Sequence, residues 1–272
     1  MSDLAWLRLQ IDWGVDEALQ DTPRDHRQTR EAPPRPAASA AAPRPAAAPA
    51  ATLVPPVQAR AEAAAAAATT LEELRAAIAA FDGIAQRETA MNLVFSDGTY
   101  DTGLMLVGEG PGDEEDRQGK PFVGRSGQLL DRMLASIGLD RTRLVITNLV
   151  NWRPLGNQTP DDRLVALSLP FLQRHIALAR PKRLLLLGKT PFAALTGSRE
   201  GITRARGKWY DVRIPGLDAP VPALATLHPA YLLRTASAKR LAWSDLLQLR
   251  RALEDDGFEF RGNGTGQAID HA

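Results

Sequence analysis

The sequence predicts an α/β fold, a three-layer α/β/α domain with a central, mainly parallel four-stranded sheet. The first observation is a set of four short apolar runs bounded by polar or turn-forming residues, at 104–107, 144–147, 184–187 and 223–227. Runs of this length are typical of fully buried strands. The second observation is that helical patterns lie between several of the runs. Because parallel strands need crossover connections, this alternation favours a parallel sheet covered on both faces.

Helix-start signals and periodicity locate the helices. The first begins near Thr70, where the order Thr-Leu-Glu-Glu resembles a helix N-terminus with an acidic first turn. Further helices are expected at residues 126–137, 161–179, 189–197 and 237–254, and an additional strand pair at 208–214. Pro170 falls inside the second of these helices, where a missing N–H predicts an offset or a kink.

The first seventy residues differ in composition from the rest of the chain. Residues 3–20 carry apolar side chains at helical spacing, and residues 21–69 form an Ala-, Pro- and Arg-rich stretch too poor in large apolar residues to build a core. We predict a docking peptide for another protein at 3–20, a disordered linker at 21–69, a folded domain at 70–260 and a disordered tail at 261–272. A helical conformation of the linker near residues 63–68 stays open. Packing of the first segment back onto the domain stays open. Residues 1–68 are therefore expected to be dispensable for activity.

Composition excludes several kinds of chemistry. The 272 residues include no cysteine, so disulfides, thiol nucleophiles and thiolate-bound zinc or iron–sulfur clusters cannot form. The four histidines lack metal-ligand spacing, and no metal is expected. No apolar run approaches the roughly 18 residues of a membrane helix, and we expect a cytoplasmic monomer without a membrane partner. With a formal net charge of +1, any nucleic-acid contact depends on local basic clusters.

Three of the predicted strands end at polar residues of unusual type. Glu109 follows the first strand within a glycine-rich loop, Asn148 follows the second, and His228 follows the fourth. Since ligands of open parallel sheets bind beyond the carboxyl ends of the strands, these side chains are expected to converge on one rim. A carboxylate, an amide and an imidazole suit recognition of a planar, amide-like ring. The glycine loop does not match the dinucleotide fingerprint, and no helix is expected directly behind it.

The motifs around these residues resemble those of the family-4 uracil-DNA glycosylases. The resemblance rests on residues 108–112 (GEGPG) with 115–130, on 147–154 (TNLVNWRP) and on 228–234 (HPAYLLR). These motifs stand in family order, and the similarity covers about residues 71–253. It implies a monofunctional enzyme that flips uracil out of DNA and hydrolyses its glycosidic bond, initiating base-excision repair. A non-catalytic DNA- or nucleotide-binding module of the same fold is the alternative.

The resemblance also implies roles for individual residues. Glu109 would position water and His228 would stabilise the leaving uracil anion; a Glu109 that only fastens its loop stays open. The implied substrate-binding residues are Gly108, Gly110, Gly112, Glu115, Phe122 and Asn148. The implied DNA-binding residues are Gly124, Arg125, Ser126, Leu233, Arg234, Lys239 and Arg240. A second basic group, Arg204, Arg206 and Lys208, is either a DNA contact or a solvated face.

The sequence departs from this family at the iron–sulfur cluster. Family members carry four cysteine ligands, and the corresponding positions here are Phe81, Ile84, Trp152 and Ser168. We expect these residues to form an apolar plug in a protein without a cofactor. A decayed domain that binds DNA without cutting is the competing interpretation. The DNA-crosslinking branch of the superfamily carries a histidine-bearing insertion after the second motif, and residues 151–161 contain no histidine, so ordinary hydrolysis is expected.

Overall fold

The structure, a computed structural model, describes residues 56–258 and 260. The strands are β1 (Ser96–Gly98), β2 (Leu104–Gly108), β3 (Val145–Asn148), β4 (Arg183–Leu187), β5 (Trp209–Val212) and β6 (Val221–Thr226). The α-helices are α1 (Val57–Ala67), α2 (Leu71–Ala80), α3 (Asp113–Gln118), α4 (Arg125–Ala135), α5 (Asp162–Ala179), α6 (Lys189–Thr196), α7 (Ile202–Ala205), α8 (Pro229–Arg234) and α9 (Lys239–Asp255). None of the helices within the described residues is long and apolar enough to cross a bilayer.

One sheet organises the domain, with the strand order β1-β3-β2-β4-β6-β5. The four inner strands are parallel and correspond to the four apolar runs, so the predicted three-layer α/β/α fold is confirmed. The predicted number of strands is corrected from four to six, because β1 and β5 add antiparallel edges. The strand pair expected at 208–214 is a single strand, β5. Edge strands are not detected as apolar runs, because a strand at the border of the sheet is less buried than an inner strand. β1, for instance, has the sequence Ser-Asp-Gly and is only partly buried.

Alternation along the strands divides the core into two layers. Met105 and Val107 of β2 face the layer that contains α2, α5 and α6. Leu104 and Leu106 face the opposite layer, which α4 and α9 cover. The crossovers on either side of β2 therefore pass over opposite faces of the sheet, α4 before β3 and α5 before β4. This arrangement leaves a crevice at the carboxyl end of β2, where doubly wound sheets bind ligands.

The expected helix starts are confirmed in part. Thr70 caps α2 through a capping box with Glu73, and Pro170 lies inside α5 as predicted. The expectation that no helix opens behind the glycine loop is wrong, because α3 begins at Asp113 with Gly112 as its N-cap. Acidic side chains fill the first turn of α3. They would repel a phosphate, so this loop still does not suit a nucleotide cofactor.

Helix α1 corrects the expected boundary of the linker. The linker predicted at 21–69 includes residues 57–67, with a helix left open only near 63–68. Residues 57–67 instead form one helix whose Ala61 and Ala65 are fully buried in the main core. Small side chains allow the α1 backbone to approach α5 closely, so the helix is buried without large apolar residues. The folded domain therefore includes Val57. The expected docking peptide at 3–20, the rest of the linker and the tail at 261–272 lie outside the described residues.

The contact between α1 and α5 is specific because of Pro170. Proline has no N–H, so the carbonyl of Ala166 loses its partner within the helix. Gln58 of α1 supplies a replacement, since its Nε2 donates to that carbonyl at 3.2 Å. At the other end of α1, Nε of Arg174 donates to the carbonyl of Ala68 at 2.7 Å. Two side-chain hydrogen bonds thus fix the register of α1 along α5.

The four positions that correspond to cluster ligands are all buried. Phe81, Ile84 and Trp152 belong to the main core, and Ser168 is buried on α5. The ring of Phe81 packs edge-on against Phe171 at a centroid distance of 5.3 Å. Trp152 exposes 7% of its surface, which does not suit a residue that stacks on DNA from outside. The apolar character expected of these positions agrees with their burial.

Deleting residues 1–68 should lower the free energy of unfolding relative to deleting residues 1–52. The longer deletion removes α1 with its buried alanines and the Gln58–Ala166 hydrogen bond. We expect a difference of at least about 2 kcal/mol from methyl burial and one hydrogen bond. Urea denaturation of the two truncated proteins measures it. Equal stabilities would mean that α1 does not contribute to the domain.

Replacing Trp152 by alanine should lower the free energy of unfolding by about 3–5 kcal/mol, the usual cost of deleting a buried large aromatic side chain. Ser168→Ala is the matched control, because the buried Ser168 hydroxyl has no hydrogen-bond partner among the described residues and its removal leaves nothing unpaired. Chemical denaturation compares the two variants. A loss below about 1 kcal/mol for Trp152→Ala, the range of surface substitutions, would contradict the packing of this residue as a plug.

Candidate active site

The three predicted strand ends meet at one cavity of ≈180 Å³ at the carboxyl edge of the sheet. Its lining includes Glu109, Gly110, Gly112, Glu115, Phe122, Ser126, Asn148 and His228. The cavity is smaller than the roughly 300–1,000 Å³ of pockets for drug-sized ligands, as suits a single ring. The convergence expected from the sequence is therefore present in the structure. Pro154, Asn157 and Pro160, from the loop after β3, complete the opposite wall.

Gly108 brings two of these side chains together. It pairs with Asn148 in the parallel register of β2 and β3. An added Cβ at Gly108 would lie 2.4 Å from Oδ1 of Asn148 and 2.4 Å from Cζ of Phe122. The Oδ1 atom of Asn148 is buried and has no hydrogen-bond partner among the described residues. A buried, unpaired acceptor costs free energy unless a ligand satisfies it, so this atom is suited to receive an N–H group.

Phe122 reaches the cavity from a constrained backbone. Its φ of 55° is left-handed, which is uncommon for a residue other than glycine. The guanidinium of Arg141 donates to the carbonyls of Pro121 and Phe122 and is itself held by Asp97 and Asp131. The Phe122 ring lies 5.7 Å from the His228 ring, centroid to centroid, so the two rings border the same space.

Glu115 fastens two loops at the cavity edge. Its carboxylate accepts a hydrogen bond from the backbone N–H of Gly112 at 3.1 Å and another from Gly124 at 2.8 Å. Both oxygens are engaged by backbone donors, and the side chain is buried. The glycine loop after β2 and the start of α4 are thereby held at a fixed separation.

His228 is held in one tautomer. Its Nδ1 accepts a hydrogen bond from the backbone N–H of Ala230 at 3.1 Å, so the proton of the neutral ring is carried by Nε2. Burial of the ring, assisted by the positive charge of Arg234, lowers the pKa of His228 to about 4. The imidazole is therefore neutral at pH 7, with Nε2–H as its donor.

A fourth strand end, that of β4, also reaches the site, although the sequence did not predict it. Thr190, in the first turn of α6 after β4, donates through its hydroxyl to Oε2 of Glu109 at 2.5 Å. Gly188, between β4 and α6, has a φ of 102°, and an added Cβ would lie 3.1 Å from Cβ of His228. The position after a predicted parallel strand was the available signal. A threonine in a turn, however, does not by itself indicate a site.

Comparison with known proteins identifies the family. The sequence profile of the Uracil DNA glycosylase superfamily matches residues 95–247. The Type-4 uracil-DNA glycosylase of Pyrobaculum aerophilum is 37% identical over 66% of this chain and 87% of its own length. The Type-4 uracil-DNA glycosylase of Thermotoga maritima is 36% identical over 61% of this chain and 85% of its own length. This chain belongs to the uracil-DNA glycosylase superfamily.

Of the residues expected to contact DNA, Ser126 lines the cavity and the others do not. Leu233 and Arg234 are exposed on α8, and Lys239 and Arg240 are exposed at the start of α9. Arg125 is exposed at the start of α4, beside the partly buried Gly124 and Ser126. These residues therefore belong to α8 and to the starts of α4 and α9.

Two of the three residues in the second basic group pair with carboxylates, whereas Arg204 is exposed and forms no ion pair among the described residues. Arg206 pairs with the buried carboxylate of Asp245, and Lys208 pairs with Glu200 at 3.0 Å. Asp245 also accepts from the hydroxyl of Thr226 at 2.7 Å. Asp245 thus links α9 to Thr226 of β6 and to Arg206, whose guanidinium has a structural role.

The family's iron–sulfur cluster does not fit this chain. A cluster of that type needs thiolate ligands, and the sequence contains no cysteine. Two of the four ligand positions hold Phe81 and Ile84, and Trp152 and Ser168 hold the others, all buried. Among the described residues, no group of three or more histidine, aspartate or glutamate side chains could hold a metal ion.

His228 should remain neutral well below the usual histidine range. We expect its ring to carry the proton on Nε2 at pH 7 and to titrate with a pKa of about 4, because burial disfavours the cation. Long-range ¹H–¹⁵N NMR spectra across a pH series measure both properties, and the spectrum of His228→Gln assigns the signal. A titration near 6.5, or a proton on Nδ1 at pH 7, would contradict the geometry at Ala230.

Proposed function

We propose that this protein is a monofunctional uracil-DNA glycosylase that hydrolyses the N-glycosidic bond of uracil flipped out of DNA and so initiates base-excision repair. The single observation that carries the proposal is the convergence of Glu109, Phe122, Asn148 and His228 on one small cavity. Membership in the superfamily and the names of the Type-4 relatives support the same activity.

Asn148 and Phe122 would recognise the base. The amide of Asn148 can accept from uracil N3–H through the unpaired Oδ1 and donate to O4 through Nδ2, whereas cytosine reverses this pattern. The Phe122 ring, fixed by its left-handed backbone, would stack on the base. Since Gly108 has no side chain, both groups can approach the base at the same time.

His228 would stabilise the leaving group. As the glycosidic bond breaks, negative charge develops on the uracil ring, and a donor aimed at O2 lowers the barrier. A neutral imidazole with its proton on Nε2 supplies this donor without itself carrying a charge in the resting site. Because Ala230 fixes the tautomer, the donor does not have to reorient during the reaction.

Glu109 would position the attacking water and offset the positive charge that develops on the sugar. The hydroxyl of Thr190 donates to one of its carboxylate oxygens and restricts the rotation of the side chain. A Glu109 that only fastens the glycine loop is the alternative role. Residues 109 and 150 already connect the two loops through the backbone, because the N–H of Val150 donates to the carbonyl of Glu109 at 3.1 Å.

Several parts of the proposal concern the wider protein. We propose that it acts without an iron–sulfur cluster, since the four ligand positions hold no thiolate. Uracil-containing DNA would be its substrate, with Leu233 and Arg234 inserted where the uracil leaves the stack. A protein partner for residues 3–20, a monomeric state and a cytoplasmic location remain predictions from the sequence.

Purified protein should release free uracil from a labelled oligonucleotide and leave an abasic site, with strand cleavage only after alkali. We expect His228→Ala and Asn148→Ala to reduce the single-turnover rate on the order of 10²-fold, since each removes a preorganised hydrogen-bonding group. Met91→Ala, at a side chain that is 72% exposed, is the control and should match the unmodified enzyme.

Three outcomes would contradict these assignments. Absence of uracil release would favour a binding module of the same fold. Strand cleavage without alkali would indicate lyase chemistry, which needs an amine nucleophile. Rates within a few-fold of the unmodified enzyme for both alanine variants would remove Asn148 and His228 from the mechanism.

A further inference from the structure

We propose that a second cavity, beside the uracil cavity, holds an unpaired nucleobase of the same DNA strand against the ring of Trp243. The inference rests on the proposed function and concerns a nucleotide other than the flipped uracil. Trp243 lies on α9 and exposes 42% of its surface, although tryptophan is on average a highly buried residue.

The groove next to Trp243 is apolar and has a volume of ≈360 Å³. Leu129 and Met133 of α4, Leu232 of α8 and Leu246 of α9 line it. A nucleobase presents two apolar faces of a planar ring, which stack on aromatic side chains regardless of sequence. The groove therefore has an apolar lining with one aromatic side chain at its surface.

The groove and the uracil cavity are built on the same two helices. Ser126 of α4 and Ala230 of α8 line the uracil cavity, whereas Met133 and Leu232 line the groove. From Ser126 to Met133, α4 advances about 10 Å at its rise of 1.5 Å per residue. Stacked nucleotides repeat every 3.4 Å or so along a strand, and unstacked ones reach further. A strand with uracil in the first cavity thus brings a near neighbour to the second.

The border of the groove carries only positive charge. Arg132, Lys239 and Arg240 line it, and none of them forms an ion pair among the described residues. No carboxylate lines the groove. The apolar side chains of the groove suit the face of a nucleobase, and the cationic side chains at its border suit the adjoining phosphates.

An acidic peptide would also complement this charge, but continuity with the proposed DNA contacts favours DNA. Leu232, in the groove wall, is followed directly on α8 by the exposed Leu233 and Arg234. The same helix begins at the cap residue His228.

The test measures affinity for a fluorescein-labelled oligothymidylate, which contains no uracil, by fluorescence anisotropy. Trp243→Ala should weaken binding at least about fivefold, because stacking of one base on an aromatic side chain contributes at least that much. Trp243→Phe, which keeps an aromatic face, should stay within about twofold. Leu241→Ala is the matched control, because Leu241 lies on the same helix, is also 42% exposed and does not line the groove; its affinity should not change.

Salt dependence separates stacking from charge. Trp243→Ala should keep the slope of log affinity against log salt, whereas Lys239→Gln should reduce it by about 0.7 for one phosphate contact to a single strand.

Affinity of Trp243→Ala equal to that of the unmodified protein would overturn the nucleobase assignment and leave the groove to an acidic protein segment. An equal loss for Leu241→Ala would also overturn it, since the effect would then not belong to the groove. Failure of the proposed function is seen separately, as absence of uracil release by the unmodified enzyme. In that case the anisotropy measurement still tests whether the groove binds a nucleobase.

Discussion

The proposed contacts to uracil depend on how closely three chain segments approach one another over Gly108. This residue ends β2, pairs with Asn148 on β3 and lies beneath the ring of Phe122. Any side chain here would displace the amide, the ring or both, because the space above the α-carbon is already filled. Contact with the Gly108 backbone thus sets the separation between the Asn148 amide, which would bind the edge of the base, and the Phe122 ring, which would cover its face. Flexible side chains do not have to find this arrangement after the base enters.

Charged groups then hold the loops that carry these contacts. Arg141 connects the carbonyls before α4 to two aspartates, and Glu115 connects the backbones of Gly112 and Gly124. Arg141 does not line the cavity, and Glu115 lines its edge with both carboxylate oxygens bound to backbone N–H groups. Their effect is to fix the loop positions before binding, so that little ordering entropy remains to be lost when the base enters. In this site, the ionic interactions position the loops and mostly neutral groups recognise the base.

The sequence predicted the parts of the structure in which local pattern and tertiary environment agree. Buried parallel strands such as β2 and β3 are continuous apolar runs, and Glu109 and Asn148 stand at their carboxyl ends. Both the fold and the residues at the carboxyl edge of the sheet could therefore be predicted from the sequence. The sequence suggested only the end of α1, because alanines such as Ala61 look the same in a buried helix and in an unstructured linker. Thr190 was missed because its partner Glu109 is 81 residues away, and only the topology of β4 brings the two together. The proposed roles of the individual site residues came from the family motifs, because hydrophobic periodicity alone does not indicate chemistry.

The bond between Gln58 and α5 has a consequence for how this sequence can change over time. Pro170 has no N–H to donate within the helix. The side chain of Gln58 supplies the replacement donor, 108 residues away in sequence from the carbonyl of Ala166 that it binds. Neither residue is then free to vary independently. A lineage that replaced Pro170 with a residue bearing an N–H would release position 58 from selection for a donor, whereas loss of Gln58 alone would leave a weakened contact between α1 and α5. Among related sequences, the two positions are therefore expected to co-vary, although they do not touch the site at which the chemistry would occur.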